Sequence, residues 1–536
     1  MLAPLLLVAI TFMYLLKRLS PKSKIFNGTS SSATVPLPLP PGPSPWPVVG
    51  NLPEMMLNRP AFQWIHLVME EMGTGIACFR LGGVHVVPIT CPKIAREVLK
   101  KQDANFVSRP LSFASRTVSG GYRDAVLSPF GDQWKKMRRV LTSEIACPSR
   151  HEWLHDKRVD EADNFMRYVY NLTASSGMTE SSSAAAGANV DVRHVARHYC
   201  GNVIRRLVFG MRHFEEAQPD GGPGPLEVEH VDAAFTSLGL LFSFSVSDYL
   251  PWLLGLDLDG DEKMVTEANA TMNRLHDAVI EKRRRQHWKD GERQEELEDF
   301  LDILISLKDG DGNPLLSIQE IKALCMDMTL AAIDNPSNTV EWALGDMVNS
   351  PDLLDKAMEE INRVVGQERL VQESDFPQLN YVKACIREAF RLHPVAPFNV
   401  PHVAVADAIV FGYHVPKGSH ILLSRVGLGR NSSVWDEPLD FKPERHIEDN
   451  IDVVLTESEL RFISFSTGRR SCIAASLGTA MTVMLFSRLL QGFTWTKPAG
   501  VEVLHLVESK QDLLMAKPLA LHAEPRLPMH LYRMVK

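Results

Sequence analysis

The run Phe465-Ser466-Thr467-Gly468-Arg469-Arg470-Ser471-Cys472-Ile473-Ala474 constrains this chain more than any other stretch. It has the form F-x-x-G-x-R-x-C-x-A. A cysteine held as a metal-ligating thiolate needs a tight turn, a nearby positive charge and a lid against water. Gly468 permits the turn, because glycine takes positive φ without steric cost. Arg470 brings charge that favours a bound anion, and Phe465 can shield the sulfur. The small, apolar stretch from Ala474 to Met484 reads as a helix. Cys472 then falls near a helix N-terminus, where the local dipole and a bound metal both lower a thiol pKa. A lone cysteine before a helix is usually a small core residue; the glycine and arginine in register set this one apart.

The remaining cysteines support that reading by their scatter. There are seven, at 78, 91, 147, 200, 325, 385 and 472, with no C-x-x-C pair. That argues against a disulfide framework and a cysteine zinc site, and fits a reducing compartment with one cysteine in use. The 536 residues are 45% hydrophobic and 23% charged, an ordinary globular balance. No long polar linker divides the chain after residue 50, so residues 48–536 are expected to form one large domain. The formal net charge of −8 gives no electrostatic case for a nucleic-acid partner.

The N-terminus reads differently. Leu2 to Leu16 are almost all apolar, and Lys17, Arg18, Lys22 and Lys24 follow. A span needs about 17–25 apolar residues, so residues 1–20 are expected to be a short membrane anchor. A cleaved signal peptide is disfavoured, since no basic segment precedes the run. Charge on its C-terminal side places the body in the cytosol. Residues 21–47 form a basic, then proline-rich linker ending Pro36-Leu37-Pro38-Leu39-Pro40-Pro41-Gly42-Pro43-Ser44-Pro45-Trp46-Pro47. Proline at this density favours a stiff extended spacer.

The body reads as mainly α with small β-sheets. Ile76 to Ile89 suggests a hairpin turning at Gly82-Gly83. Ser317-Ile318-Gln319-Glu320 is a capping box opening a long helix to about Val348. Strands are expected between Ala408 and Leu423, with turns at Gly412 and Gly418. Ala174 to Asn189 and Ala217 to Pro225 look flexible. Leu238 to Leu256 is very apolar and reads as buried core, an access channel, or a segment dipping into a membrane surface.

Three further motifs matter through their distance from Cys472. Glu388 and Arg391 share a helix face at i,i+3, and Arg445 lies between them and the cysteine. Together they suggest a network bracing the cysteine loop from behind. In Trp134-Lys135-Lys136-Met137-Arg138-Arg139, Trp134 and Arg138 share one face at i,i+4 and can donate to a bound carboxylate. Lys135, Lys136 and Arg139 are left outside, where an acidic electron donor could meet them.

These four motifs, in this order and spacing, resemble the cytochrome P-450 superfamily of haem-thiolate monooxygenases, from the proline hinge to the C-terminus. The resemblance implies the P-450 fold and haem b with Cys472 as its iron ligand. Phe465, Gly468, Arg470, Trp134, Arg138 and His402 would then contact the cofactor. It also implies O2 as oxidant, electrons from NADPH through a membrane reductase, and an endoplasmic reticulum membrane location with a cytosolic catalytic domain. The chain departs from the superfamily pattern over the distal face. Where A-G-x-D/E-T-T/S is usual, it reads Ala331-Ala332-Ile333-Asp334-Asn335-Pro336-Ser337-Asn338. Asn335 replaces the threonine, and Pro336 removes one helical N–H and clashes with the Ala332 carbonyl. A bent helix with an open groove is expected. Ser471 and Ala474 replace glycines, and His402 stands where many members carry a propionate-binding arginine.

The Asn-Pro-Ser-Asn sequence is itself similar to the plant amino-acid N-monooxygenases, which make aldoximes. His393 to His402, Ser424 to Asn431 and Glu524 to Pro528 agree. Within that group the body looks closest to members acting on tyrosine in cyanogenic glucoside synthesis, a branch of secondary metabolism. The implied reaction is two hydroxylations of the amino nitrogen of an L-amino acid, L-tyrosine first and L-phenylalanine next, followed by loss of water and CO2. Asp334 and Asn335 are the catalytic candidates. An asparagine can hydrogen bond dioxygen or water but is a poor proton donor. The substrate carboxylate needs a cation, because burying it unpaired is costly. Arg123, in the roof segment Asn105 to Asp132, is the candidate; Phe113, Phe398 and Asn399 are candidates for the pocket wall. Two rival readings are an O2-independent haem-thiolate isomerase or dehydratase, and a catalytically silent membrane haem binder.

Overall fold

Eight helices and nine short strands position everything that follows. In the computed structural model, residues 37–175, 187–289, 297–448, 451–509 and 512–533 are described. The expected anchor and the first part of the linker lie outside them. Among the helices of the described residues, the eight used below are α1 (Asp132–Val140), α2 (His155–Ser175), α3 (Val192–Phe209), α4 (Pro225–Leu241), α5 (Asp261–Lys289), α6 (Ile318–Asn349), α7 (Asn380–Leu392) and α8 (Ala475–Gly492). Helix α6 runs through the centre. It packs on α3, α7 and α8, and one large apolar cluster joins all four with α2. Among the described residues no helix is long and apolar enough to cross a membrane.

Helix α6 starts where its capping box predicts. Ser317 Oγ accepts the Glu320 N–H at 3.3 Å, and the Glu320 carboxylate takes the Ser317 N–H at 2.8 Å. The helix continues for 32 residues across Pro336. Hydroxyls gather at the interrupted turn: Ser337 Oγ donates to the Ile333 carbonyl at 2.8 Å and Thr339 Oγ1 to the Asn335 carbonyl at 2.7 Å.

The hairpin also forms as the glycine pair requires. Strands β1 (Phe79–Leu81) and β2 (Val84–Ile89) pair antiparallel, with Leu81 opposite Val84. Strand β3 (Ala188–Asp191) precedes α3; β4 (His402–Val403), β5 (Ala408–Val410), β6 (Tyr413–Val415) and β7 (His420–Leu423) follow α7. The first sheet has the order β1-β2-β7-β4, and β5 and β6 make a two-stranded ribbon. Strands β8 (Phe493–Thr496) and β9 (Ala520–Pro525) complete a third sheet, β3-β9-β8. Ala188 and Asn189, expected to be flexible, are strand residues instead. Their partners are Ala523 and His522, so the pairing is invisible to any local pattern.

The proline-rich stretch is docked on the body where it is described. The carbonyls of Pro38 and Pro41 accept the N–H groups of His414 and Cys78 at 2.9 and 2.8 Å. The apolar run 238–256 divides: Val246 and Leu250 are buried with Leu52 and Phe62, while Trp252, Leu254 and Leu256 are exposed.

Candidate active site around Cys472

The cysteine loop is held open by backbone geometry. Gly468 has φ +77°, and a Cβ there would lie 2.5 Å from the Leu99 carbonyl oxygen. Both the turn and the close approach therefore require glycine. The Ser471 N–H donates to the Gly468 carbonyl, and the Cys472 N–H to the Phe465 carbonyl at 2.8 Å. Cys472 carries exposed surface although it lies inside the molecule, because it faces an interior cavity of about 470 Å³. Burial raises its thiol pKa; the Ala474 N–H and the charges of Arg138 and Arg425 oppose that.

The cavity is bounded by the cysteine loop, the start of α8, α1, the roof segment and one face of α6. Ala331, Ala332, Asn335, Pro336 and Thr339 supply the α6 face. Ala331 and Asn335 are exposed in mid-helix, whereas Ile333 and Asp334 are buried. Asn335 Nδ2 donates only a long bond, 3.4 Å, to the Ala331 carbonyl. Asp334 points elsewhere. Burial pushes its carboxyl up to about 7, against the pull of Arg197 and Arg425, and its Oδ1 has no partner. As a group touching substrate, Asp334 is therefore corrected: adjacent helical residues face different directions, and Asn335 is the one on the cavity.

Three arginines crowd one side of this space. Arg470 donates to the carbonyls of Val107, Ala125 and Ser128, and Arg138 to that of Ser471 at 2.8 Å. Arg109, which the sequence reading passed over, donates to those of Val126, Val400 and Pro401. Burial, with mutual repulsion, pulls Arg109 down to about 9 and Arg470 to about 8. Trp134 Nε1 is buried with no partner, and its ring lies 4.3 Å from the Arg470 guanidinium. Clustered cations beside an orphaned donor are a receptor for carboxylates. With a cysteine across the cavity, this donor set fits a haem with its two propionates. His402 fits less well. Its Nδ1 donates to the Phe106 carbonyl at 2.7 Å, and burial holds the ring neutral, so Nε2 offers a lone pair and no proton.

The bracing network is more complete than expected. Glu388 and Arg391 are both 0% exposed and meet through two bonds of 2.7 and 2.8 Å. Arg445 Nε, His446 Nε2 and the Lys442 N–H converge on the same carboxylate. Burial alone would raise the Glu388 pKa; Arg391 and His446 hold it at about 2. His446 was legible as a neighbour of Arg445 but not as a partner. The network ties Gly429, Pro438 and Asp440 through Arg391. It reaches the cysteine loop only indirectly, through the Phe390 ring, edge-on to Phe465 at 6.0 Å.

Four further expectations need correction. Arg123 is exposed and donates to its own turn at the Gly120 carbonyl; it does not line the cavity. Positive φ at Gly120, Gly121 and Tyr122 swings it outward. Phe113 packs against the main apolar cluster, its N–H on Asp248 at 2.8 Å. Phe398 stacks on His66 at 5.4 Å, away from the cysteine. It precedes Asn399 in extended chain, so the two side chains take opposite faces, and Asn399 alone reaches the cavity. Lys136 is not free for a partner, being paired with Glu320 at 2.8 Å.

A mainly helical body closed over a cysteine and a carboxylate receptor defines the haem-thiolate class of enzymes. A family model described as Cytochrome P450 matches residues 40–523, and the chain belongs to that family. Its members are oxidoreductases that bind haem iron and use O2 with reductase-supplied electrons from NADPH. The chain is 73% identical to a tyrosine N-monooxygenase of Sorghum bicolor over 488 residues, 91% of this chain and 86% of that one. It is 55% identical to tryptophan N-monooxygenase 1 of Arabidopsis thaliana, covering 92% and 88%. Identity to valine N-monooxygenase 1 of Manihot esculenta is also 55%, covering 91% and 87%.

Proposed function

We propose that this chain converts an L-amino acid, L-tyrosine first and L-phenylalanine next, to its aldoxime. Two N-hydroxylations consume two O2 and two NADPH; dehydration and decarboxylation follow, releasing CO2 and three waters in all. The observation that carries this reading is the 73% identity to the sorghum tyrosine enzyme. Relatives named for tryptophan and valine share the N-monooxygenase activity in their names, so the reaction is the broader inference and tyrosine the narrower one. The product would feed cyanogenic glucoside synthesis.

Bound haem supplies the activation of O2. The chain's residues do the rest. Cys472 is the thiolate ligand, Gly468 shapes its loop and Phe465 covers it. Arg138, Arg470, Arg109 and Trp134 would hold the propionates. Asn335 presents an amide that can donate and accept but cannot give up a proton at neutral pH. The substrate nitrogen must arrive as a neutral amine, since an ammonium has no lone pair.

The N-terminal apolar run and the exposed Val48, Leu57, Trp252, Leu254 and Leu256 around one apolar cluster support attachment to the endoplasmic reticulum membrane, catalytic body in the cytosol. The exposed Lys135 and Arg139 support docking of an NADPH-dependent reductase. The test is to give the membrane-bound protein, with reductase and NADPH, a mixture of all amino acids. Mass spectrometry is expected to find the oxime of tyrosine foremost; no oxime from any amino acid would end the proposal.

A further inference from the structure

Arg425 is a half-buried cation of the cavity that the fold leaves largely uncommitted. It follows β7, and its backbone is fixed: its N–H donates to the Pro397 carbonyl at 2.9 Å, and the preceding Ser424 N–H to that of Ile89. The side chain lines the same cavity as Cys472, Asn335 and Asn399. Its one hydrogen bond is long, Nη2 to Asn399 Oδ1 at 3.4 Å, and Nε is buried with no partner. It makes no ion pair among the described residues. The other cavity guanidiniums near the cysteine, Arg109, Arg138 and Arg470, are the ones assigned above to the propionates, and each also donates to backbone carbonyls.

We propose that Arg425, steadied by Asn399, receives the α-carboxylate of the amino-acid substrate. The assignment rests on the amino-acid reading above and replaces Arg123 in that role. A guanidinium offers a planar fork matched to a carboxylate, and an unpaired charge in an apolar cavity is costly until an anion arrives. Arg109, Arg138 and Arg470 lie near one another in charge, whereas the charges felt by Arg425 are Asp334 and Cys472. Burial lowers the Arg425 pKa to about 10, which still leaves it charged. Asp334, raised to about 7, is partly protonated near neutrality and so competes weakly for the same guanidinium. With the carboxylate on Arg425, the amino group one carbon away lies within the cavity that Asn335 also faces.

The test uses the haem-loaded full chain, titrated with L-tyrosine and with L-tyrosinol, in which an alcohol replaces the carboxylate. Binding is read from the ligand-induced shift of the haem absorption. Arg425→Gln is expected to weaken L-tyrosine by about 10- to 100-fold, the range for a charge-assisted pair, and to leave tyrosinol within about two-fold. Arg425→Lys, which keeps a point charge, is expected to recover part of the preference for the acid. The reduced carbon monoxide band per mole of protein is expected to be unchanged in both variants. Equal weakening of acid and alcohol, or unchanged L-tyrosine binding, would overturn the assignment. Haem loss in the glutamine variant would also overturn it, moving Arg425 to the propionates. If the unaltered protein binds no amino acid, the amino-acid reading itself fails, which is a distinct result.

Discussion

Cys472 and Asp334 show how a side chain's chemistry depends on what surrounds it. Replacing Cys472 by Ala is expected to abolish the carbon monoxide absorption band characteristic of thiolate-bound haem; a retained band would remove the cysteine from the metal. Asp334 gives a pH-dependent outcome. Its folded pKa of about 7 stands above the unfolded 3.8, so the native state holds the proton more tightly. Its contribution is fully present below about pH 4 and is lost as pH rises through about 7. In Asp334→Asn that slope is removed, so the urea midpoint of the variant is expected to gain on the parent between about pH 4 and pH 7. Parallel profiles would show that Asp334 titrates normally.

At the scale of elements, local features were read correctly and distant pairings were not. The capping box at Ser317 and the hairpin at Gly82-Gly83 depend on residues three or four apart, which sequence displays directly. Strand β3 exists because Val190 lies opposite Leu521, a pairing no window of sequence contains. Helix α6 lies between these cases. Pro336 announced a disturbed turn, but only packing put Asn335 rather than Asp334 on the cavity. An interior proline costs a helix about 3 kcal/mol. Pro336→Ala is therefore expected to stabilise the protein by about 1–3 kcal/mol in denaturant unfolding. It should lower oxime formation, because a closed hydrogen bond to the Ala332 carbonyl draws the Asn335 turn into regular helix. Unchanged turnover would make the proline irrelevant to the cavity.

At the scale of the whole molecule, Glu388 joins α7 to the segment that precedes the cysteine loop. Glu388→Ala leaves Arg391 and Arg445 without their shared carboxylate, and uncompensated buried charge costs about 3–5 kcal/mol. The expected result is loss of haem-loaded protein, read as the yield of the carbon monoxide band per mole of chain. Full yield would mean that carbonyls at Gly429, Pro438 and Asp440 satisfy Arg391 unaided.

Residue types at short spacing were enough to point to a glycine-turned cysteine loop, the Glu388–Arg391 ion pair and a family, since each of these depends on side-chain chemistry and local backbone freedom. Which arginine faces the cavity could not be read that way. Arg123 and Arg425 are the same residue type; three positive-φ residues turn one to solvent, and a strand end clamped between β2 and Pro397 turns the other inward. Orientation of that kind is a property of the closed fold: backbone conformations that the sequence does not display turn Arg123, and the pairing of Ser424 with Ile89, far away in the chain, fixes Arg425.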